Sequence, residues 1–244
     1  ANIVHRSHAP YVTTTMIELD FSGDNPSANI DVNWRDINVV INESMTAHLQ
    51  QGRVSYGGTI ANGKLSVDAQ AQLVPVGPII LSLGGALREK QFSIDAARLE
   101  ALSGEINGQG LINFAERLSA QLTLDGRNLD LGRVHAESPS RLAFTAALDY
   151  ESREAQPVLS VDLRQVSGYL RAYPVAGEAQ FKLLGESLNL ERAYLRAGPN
   201  ELEVSGKLGE RLAAAFEFSL PKLEVFDDRL AGRLAGTGHL SGAL

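Results

Sequence analysis

The sequence predicts an all-β fold built from antiparallel strands. Three observations carry that expectation. Apolar and polar residues alternate with period two through almost the whole chain, short turn signals separate the alternating runs, and a segment that begins at residue 92 recurs at residue 188.

Ile17-Leu19-Phe21 and Ile30-Val32-Trp34 open the series. Leu65, Val67, Ala69, Ala71 and Leu73 alternate with Ser66, Asp68, Gln70 and Gln72. Leu118, Ala120, Leu122 and Leu124 follow, then Leu142, Phe144, Ala146, Leu148 and Tyr150, and then Leu159-Val161-Leu163. Val175, Gly177, Ala179, Phe181 and Leu183 repeat the scheme, as do Leu188-Leu190, Leu202-Val204 and Leu212-Ala214-Phe216-Phe218-Leu220. Each run reads as a half-buried strand with one wet face and one apolar face. Turns are predicted at Ser22-Gly23-Asp24-Asn25-Pro26, Asn62-Gly63, Asn107-Gly108, Asp125-Gly126 and Gly198-Pro199-Asn200. Links this short make antiparallel meanders, and no helical pattern lies between the runs to support parallel crossovers.

Residues 94–102, IDAARLEAL, are the best rival for a helix, because Ala, Arg and Leu favour one. The internal repeat argues for strand. FSIDAARLEALSGEINGQG (92–110) aligns without gaps on LNLERAYLRAGPNELEVSG (188–206), and with a small slip the match extends to 92–134 against 188–226. The second copy reads strand, Gly-Pro-Asn turn, strand, so the first is predicted to do the same. Such stacking predicts one continuous β-repeat module over residues 1–244, each unit covering its neighbour.

Composition removes several function classes. The net charge is −7 and no basic stripe is present, which disfavours nucleic acid as a partner. There is no cysteine, hence no disulfide, thiolate metal site or thiol nucleophile. The longest uncharged stretch, 69–87, carries Pro75 and Pro78 and alternates at its start, unlike a membrane-spanning helix. The chain opens Ala1-Asn2-Ile3 without an apolar leader and stops at Leu244 inside an unfinished pattern, which reads as a piece of a longer protein.

Catalytic constellations are missing as well. His5, His8, His48, His135 and His239 are scattered, with no His-Glu-x-x-His pairing. No Gly-x-Ser-x-Gly elbow or phosphate loop occurs, and Gly104, Gly108 and Gly110 follow the strand repeat without a helix after them. Glu151, Arg153 and Glu154 read as a solvated loop, Asp227-Asp228 as a wet turn, and Trp34 as a packed strand anchor. The expectation is a protein with no enzymatic activity and no cofactor or metal.

The inward-facing apolar set remains. Ala69, Ala71, Ala120, Ala146, Gly177, Ala179 and Ala214 leave space that large residues would fill. A filled sandwich or barrel core and an open trough both satisfy the pattern. About eighteen strands at about 4.8 Å each would line roughly 85 Å of trough.

LNLERAYLRAGPNELEVSGKLGERLAAAFEFSLPKLEVFDDRLAGRLAGTGHLSGAL (188–244) resembles the repeating central region of the TamB family. VNWRDINVVINESMTAHLQQGRVSYGG (32–58) and FSIDAARLEALSGEINGQGLI (92–112) resemble the part preceding it. The resemblance implies a long antiparallel sheet curled into an open groove, a β-taco with an apolar interior, related to AsmA-like bridge proteins for lipid transfer. It implies a Gram-negative periplasmic protein, anchored in the inner membrane, that conducts phospholipid acyl chains across the periplasm between the inner and outer membranes and supports outer-membrane biogenesis. It also implies a TamA-type outer-membrane partner, contacted through a domain outside these residues. The lipid-groove candidates are the large members of the apolar rows: Leu65, Val67, Leu118, Leu122, Leu124, Leu142, Phe144, Leu148, Val161, Leu163, Phe181, Leu183, Leu188, Leu190, Leu202, Val204, Phe216 and Phe218. Two other readings stand beside this one. The first is a scaffold or chaperone for outer-membrane β-barrel assembly by β-augmentation, and the second is a rigid spacer.

Overall fold

The computed structural model describes residues 2–5, 12–20, 26–42, 45–59, 61–153, 156–209 and 211–243; the predicted turn at 22–26 falls largely outside them. It divides into two compact units, Ala1–Ala115 and Glu116–Leu244. The first holds β1 (Asn2–His5), β2 (Val12–Asp20), β3 (Ser27–Asn42), β4 (Met45–Thr59), β5 (Asn62–Val74), β6 (Gly77–Arg88), β7 (Gln91–Ala101) and β8 (Gly104–Asn113). The second holds β9 (Ser119–Leu129), β10 (Ser140–Glu151), β11 (Val158–Leu170), β12 (Tyr173–Leu184), β13 (Ser187–Ala197), β14 (Asn200–Leu208), β15 (Arg211–Leu220) and β16 (Leu234–Ala243). Within each unit every strand pairs antiparallel with its neighbours in sequence. Among the described residues β1 does not pair with β8, nor β9 with β16, so neither unit closes into a barrel. The only helical turns described are one-turn 3-10 segments at Leu131–Arg133 and Leu223–Val225.

Short connections enforce the meander. Pro75-Val76, Glu89-Lys90, Leu102-Ser103, Arg171-Ala172, Gly185-Glu186 and Gly198-Pro199 each join two strands. Leu102 and Ser103 hold φ of 51° and 60°, the left-handed pair that a two-residue hairpin of matching twist requires. That turn carries no Gly or Asn, which is why turn chemistry pointed instead to Asn107-Gly108. The structure corrects the assignment: Asn107-Gly108 lies inside β8 and Asp125-Gly126 inside β9. Gly126 lies under the Phe144 ring and Gly108 pairs with Ala97, so neither marks a reversal.

Residues 94–102 begin as strand and end in the Leu102-Ser103 turn, as the repeat predicts. Their helix-like spacing has a definite cause. Ile94 pairs with Gly110 and Ala97 with Gly108, so two residues, Asp95 and Ala96, oppose one. That is a β-bulge. The same bulge recurs in the second copy, where Leu190 pairs with Gly206 and Ala193 with Val204. A third interrupts β11 between Leu163 and Val166. Each bulge bends its strand and resets the phase, so residues three apart stay on the apolar face.

The burial pattern decides between sandwich and open sheet. Among the described residues only Ala28, Phe92, Leu129, Ala146, Val175, Ala197 and Val225 are buried apolar side chains. A two-layer sandwich would bury its entire inner rows. Here the inner rows stay half-buried, as in β5, where Leu65, Val67, Ala69 and Ala71 alternate with exposed Lys64, Ser66, Asp68 and Gln70. Each unit is a single unclosed layer.

Candidate functional site

Antiparallel register turns the alternating rows into rungs that run across the strands. In the first unit one rung passes through Trp34, Gly52, Ala69, Leu81, Leu99 and Ile106. The next passes through Val32, Val54, Val67, Leu83, Ala97 and Gly108, and a third through Ile30, Tyr56, Leu65, Gly85, Ile94 and Gly110. In the second unit a rung crosses all eight strands through Leu122, Leu148, Val161, Phe181, Leu190, Gly206, Ala214 and Leu240. Beside it runs Leu124, Ala146, Leu163, Ala179, Ala193, Val204, Phe216 and Gly238. Leu183 pairs with Leu188 on a further rung, Leu202 with Phe218 on another, and Leu142 and Phe144 pair with Leu129 and Gly126.

Seventeen of the eighteen groove candidates therefore share one face within their own unit. Leu118 directly precedes β9, where its carbonyl accepts from the Ser152 N–H at 2.8 Å, and it is 42% exposed.

Glycines set the depth of the face. The Trp34 ring lies over Gly52, Tyr56 over Gly63, Phe92 over Gly85, Phe144 over Gly126, Phe216 over Gly238 and Phe218 over Gly236. Four of these pairs are direct partners on one rung, while Tyr56 and Gly63, and Phe92 and Gly85, are diagonal neighbours on adjacent strands. With no Cβ beneath it the ring can lie flat along the sheet, instead of standing into the space above it. Phe216 and Phe218 are nearly parallel, with ring centroids 6.0 Å apart and planes at 13°. A methyl at Gly238 would sit 2.6 Å from the Phe216 ring. We therefore expect Gly238→Ala to lift that ring and destabilise the second unit by about 1–3 kcal/mol. Adding Phe216→Leu should recover part of the loss in a thermal-melt double-mutant cycle.

The opposite face is wet and ion-paired. Arg192 donates to Glu178 at 2.8 Å and to Glu203 at 3.1 Å, linking β12, β13 and β14. Lys182 reaches Glu191 at 2.9 Å. Such exposed pairs contribute about 0–1 kcal/mol each and mainly keep this face in water. On the wet face of the first unit, a hollow of about 500 Å³ lies between the row of Asn33, Arg53, Asp68 and Ser82 and that of Arg35, Gln51, Gln70 and Ile80. Its charged walls suit water rather than hydrocarbon.

One segment leaves the sheet and returns to the apolar face. The connection 221–233 between β15 and β16 carries the Leu223–Val225 turn, and Val225, 0% exposed, packs on Val175 of β12 and Ala197 of β13. Leu142, Val166, Leu170, Tyr173 and Phe226 surround that contact. Asn200, 1% exposed, clamps the segment from below. Its Nδ2 donates to the Lys222 carbonyl at 2.7 Å, and its Oδ1 accepts from the Lys222 N–H at 3.0 Å. Farther along, Arg229 meets Glu137 at 2.6 Å, and Arg171 pairs with Asp228 while donating to the Glu137 carbonyl at 2.9 Å. Asp227-Asp228, read from sequence as a wet turn, thus forms the charged rim of this strap.

The Arg229 guanidinium and N–H hold the Asp227 carboxyl at about 2, below its ordinary 3.8. A depressed carboxylate pKa contributes stability that is complete above the ordinary value and fades as pH falls through the folded one. Asp227→Asn should therefore lower the melting temperature by the same amount at pH 5 and pH 8. The gap to the parent should close only as pH approaches 2.

An unclosed, single-layered antiparallel meander with a continuous half-buried apolar face defines a class of protein that presents such a face instead of sealing it. The model of the TamB N-terminal domain matches residues 7–244, and the chain belongs to the TamB family. The sequence resemblance pointed to the repeating central region of that family, whereas the matching model is that of its N-terminal domain. Comparisons with curated proteins and with solved structures give no match.

Proposed function

We propose that the apolar face is a track for the acyl chains of phospholipids, used in the periplasm by a protein of the translocation and assembly module. The observation that carries this reading is the set of rungs, apolar across eight strands in the second unit and left half-buried without a covering sheet. An acyl chain of about sixteen carbons gains roughly 0.8 kcal/mol per methylene removed from water, up to about 12 kcal/mol in all. Neighbouring rungs offer nearly the same contact, so no single position traps the chain. Headgroups remain with water beyond the strand ends. Membership in the TamB family supports the reading, and with it an inner-membrane anchor and a TamA-type outer-membrane partner for the whole protein. No step of this function asks for an enzyme, a metal or a cofactor.

The expected result is co-purification. Phospholipid should be extractable from the protein after purification, or appear as bound adducts in native mass spectrometry once lipid is added. Repeated absence of any bound amphiphile under both conditions would remove the transport reading. It would favour a scaffold that works through its strand edges.

A further inference from the structure

We propose that the strap 221–233 is a fixed wall inside the second unit, which withdraws one set of strand ends from the lipid path. The claim rests on the acyl-chain reading above and says where on the face the chain runs. The strap covers the rung that contains Val175, Ala197 and Asn200, and these three residues are buried. The rungs of Phe181–Leu190 and Leu183–Leu188 lie further along the same strands and remain half-buried or exposed. Hydrocarbon can reach the second set, whereas Val225 already occupies the first.

The strap is held rather than loosely laid. Asn200 satisfies both main-chain groups of Lys222, and Lys222 in turn sits 4.9 Å above the Tyr173 ring. At its far end, Asp228 of the strap pairs with Arg171 and Arg229 of the strap with Glu137. Comparison of the two repeat copies shows that this is a specific device. Aligned on their 3-10 turns, Val225 corresponds to Arg133, and in the gapless part of the repeat Asn200 corresponds to Gly104. The first copy thus lacks both the apolar plug and the clamp, and its Leu131 and Val134 are 40% and 50% exposed. The wall was built in one copy only.

The test uses the full chain and a phospholipid that carries a diazirine in its acyl chain, with labelled residues mapped by peptide mass spectrometry. In the parent, labelling across Val161, Phe181 and Leu190 should exceed that across Val175 and Ala197 by at least about tenfold. Val225→Asp places a carboxylate against the Val175–Ala197 surface and should release the strap; labelling at Val175 and Ala197 should then rise to within about twofold of the rest. A second variant, with 223–230 replaced by a Gly-Ser linker, should behave likewise. Equal labelling of both sets in the parent would overturn the wall. So would strap release, seen as proteolytic sensitivity, with no gain at Val175 and Ala197. Labelling of neither set in the parent would instead sink the acyl-chain reading itself.

Discussion

Phe181→Asp should leave the protein folded and abolish most lipid labelling of its rung. Phe181 lies between Val161 and Leu190 on the apolar face and is half-buried. In a sealed core a new carboxylate would lose its hydration and cost several kcal/mol, enough to unfold a marginal domain. On an open face it keeps water, and the melting temperature should fall by only a few degrees. The acyl chain, however, would meet a hydrated charge on its path. Displacing that water, or skirting it, costs about 2–3 kcal/mol, which reads as a thirtyfold to hundredfold loss of labelled lipid, roughly. Asn189→Asp is the matched control. Asn189 directly precedes Leu190 but pairs with Lys182 and Lys207 on the wet face, where a carboxylate is welcome. It should change neither melting nor labelling. Loss of the folded state in Phe181→Asp would show that the face is sealed, and undiminished labelling would show that the chain passes elsewhere.

Asn200→Ala should open the strap without melting the sheet. The substitution leaves the N–H and the carbonyl of Lys222 without their partner in a buried place. Each orphaned group costs about 1–3 kcal/mol, so the docked strap loses roughly 2–6 kcal/mol in all. The hydrogen bonds of β14 and its neighbours are main-chain ladders and do not depend on this side chain. Under limited trypsin, cleavage after Lys222, Arg229 and Arg233 should accelerate by about thirtyfold or more, because cleavage follows the population of the open form. Far-ultraviolet circular dichroism should stay that of a β-sheet. Unchanged cleavage would mean that Val225 and the ion pairs of Asp228 and Arg229 hold the strap without the Asn200 clamp.

Much of this architecture was legible in the chain because its physics is local. Alternation such as Leu65-Ser66-Val67-Asp68 states which side of a sheet each residue takes, and antiparallel register then assembles the rungs. The repeat resolved IDAARLEAL as strand, although its spacing mimics a helix, because Leu190 and Ala193 carry the same bulge in a clearer setting. What escaped was set by contacts between distant residues. Gly108 and Gly126 looked like turn formers, whereas Gly126 accepts an aromatic ring from the next strand and Gly108 takes a place on an apolar rung. Leu102 and Ser103 adopt left-handed backbone without the residues that usually announce it. Asn200 read as the last residue of a Gly-Pro-Asn turn, yet its carboxamide works as a clamp on a segment 22 residues away. The one advance signal was comparative: where the second copy has Asn and Val, the first has Gly and Arg.

The central claim, that hydrocarbon lies on the apolar face, can be read from a residue already in place. Trp34 is the sole tryptophan and sits on a rung of that face, over Gly52. Its fluorescence should be strongly quenched by phospholipid brominated along the acyl chain, and little affected by the same lipid carrying a quencher on its headgroup. Bound brominated lipid that leaves the Trp34 emission unchanged would contradict the account.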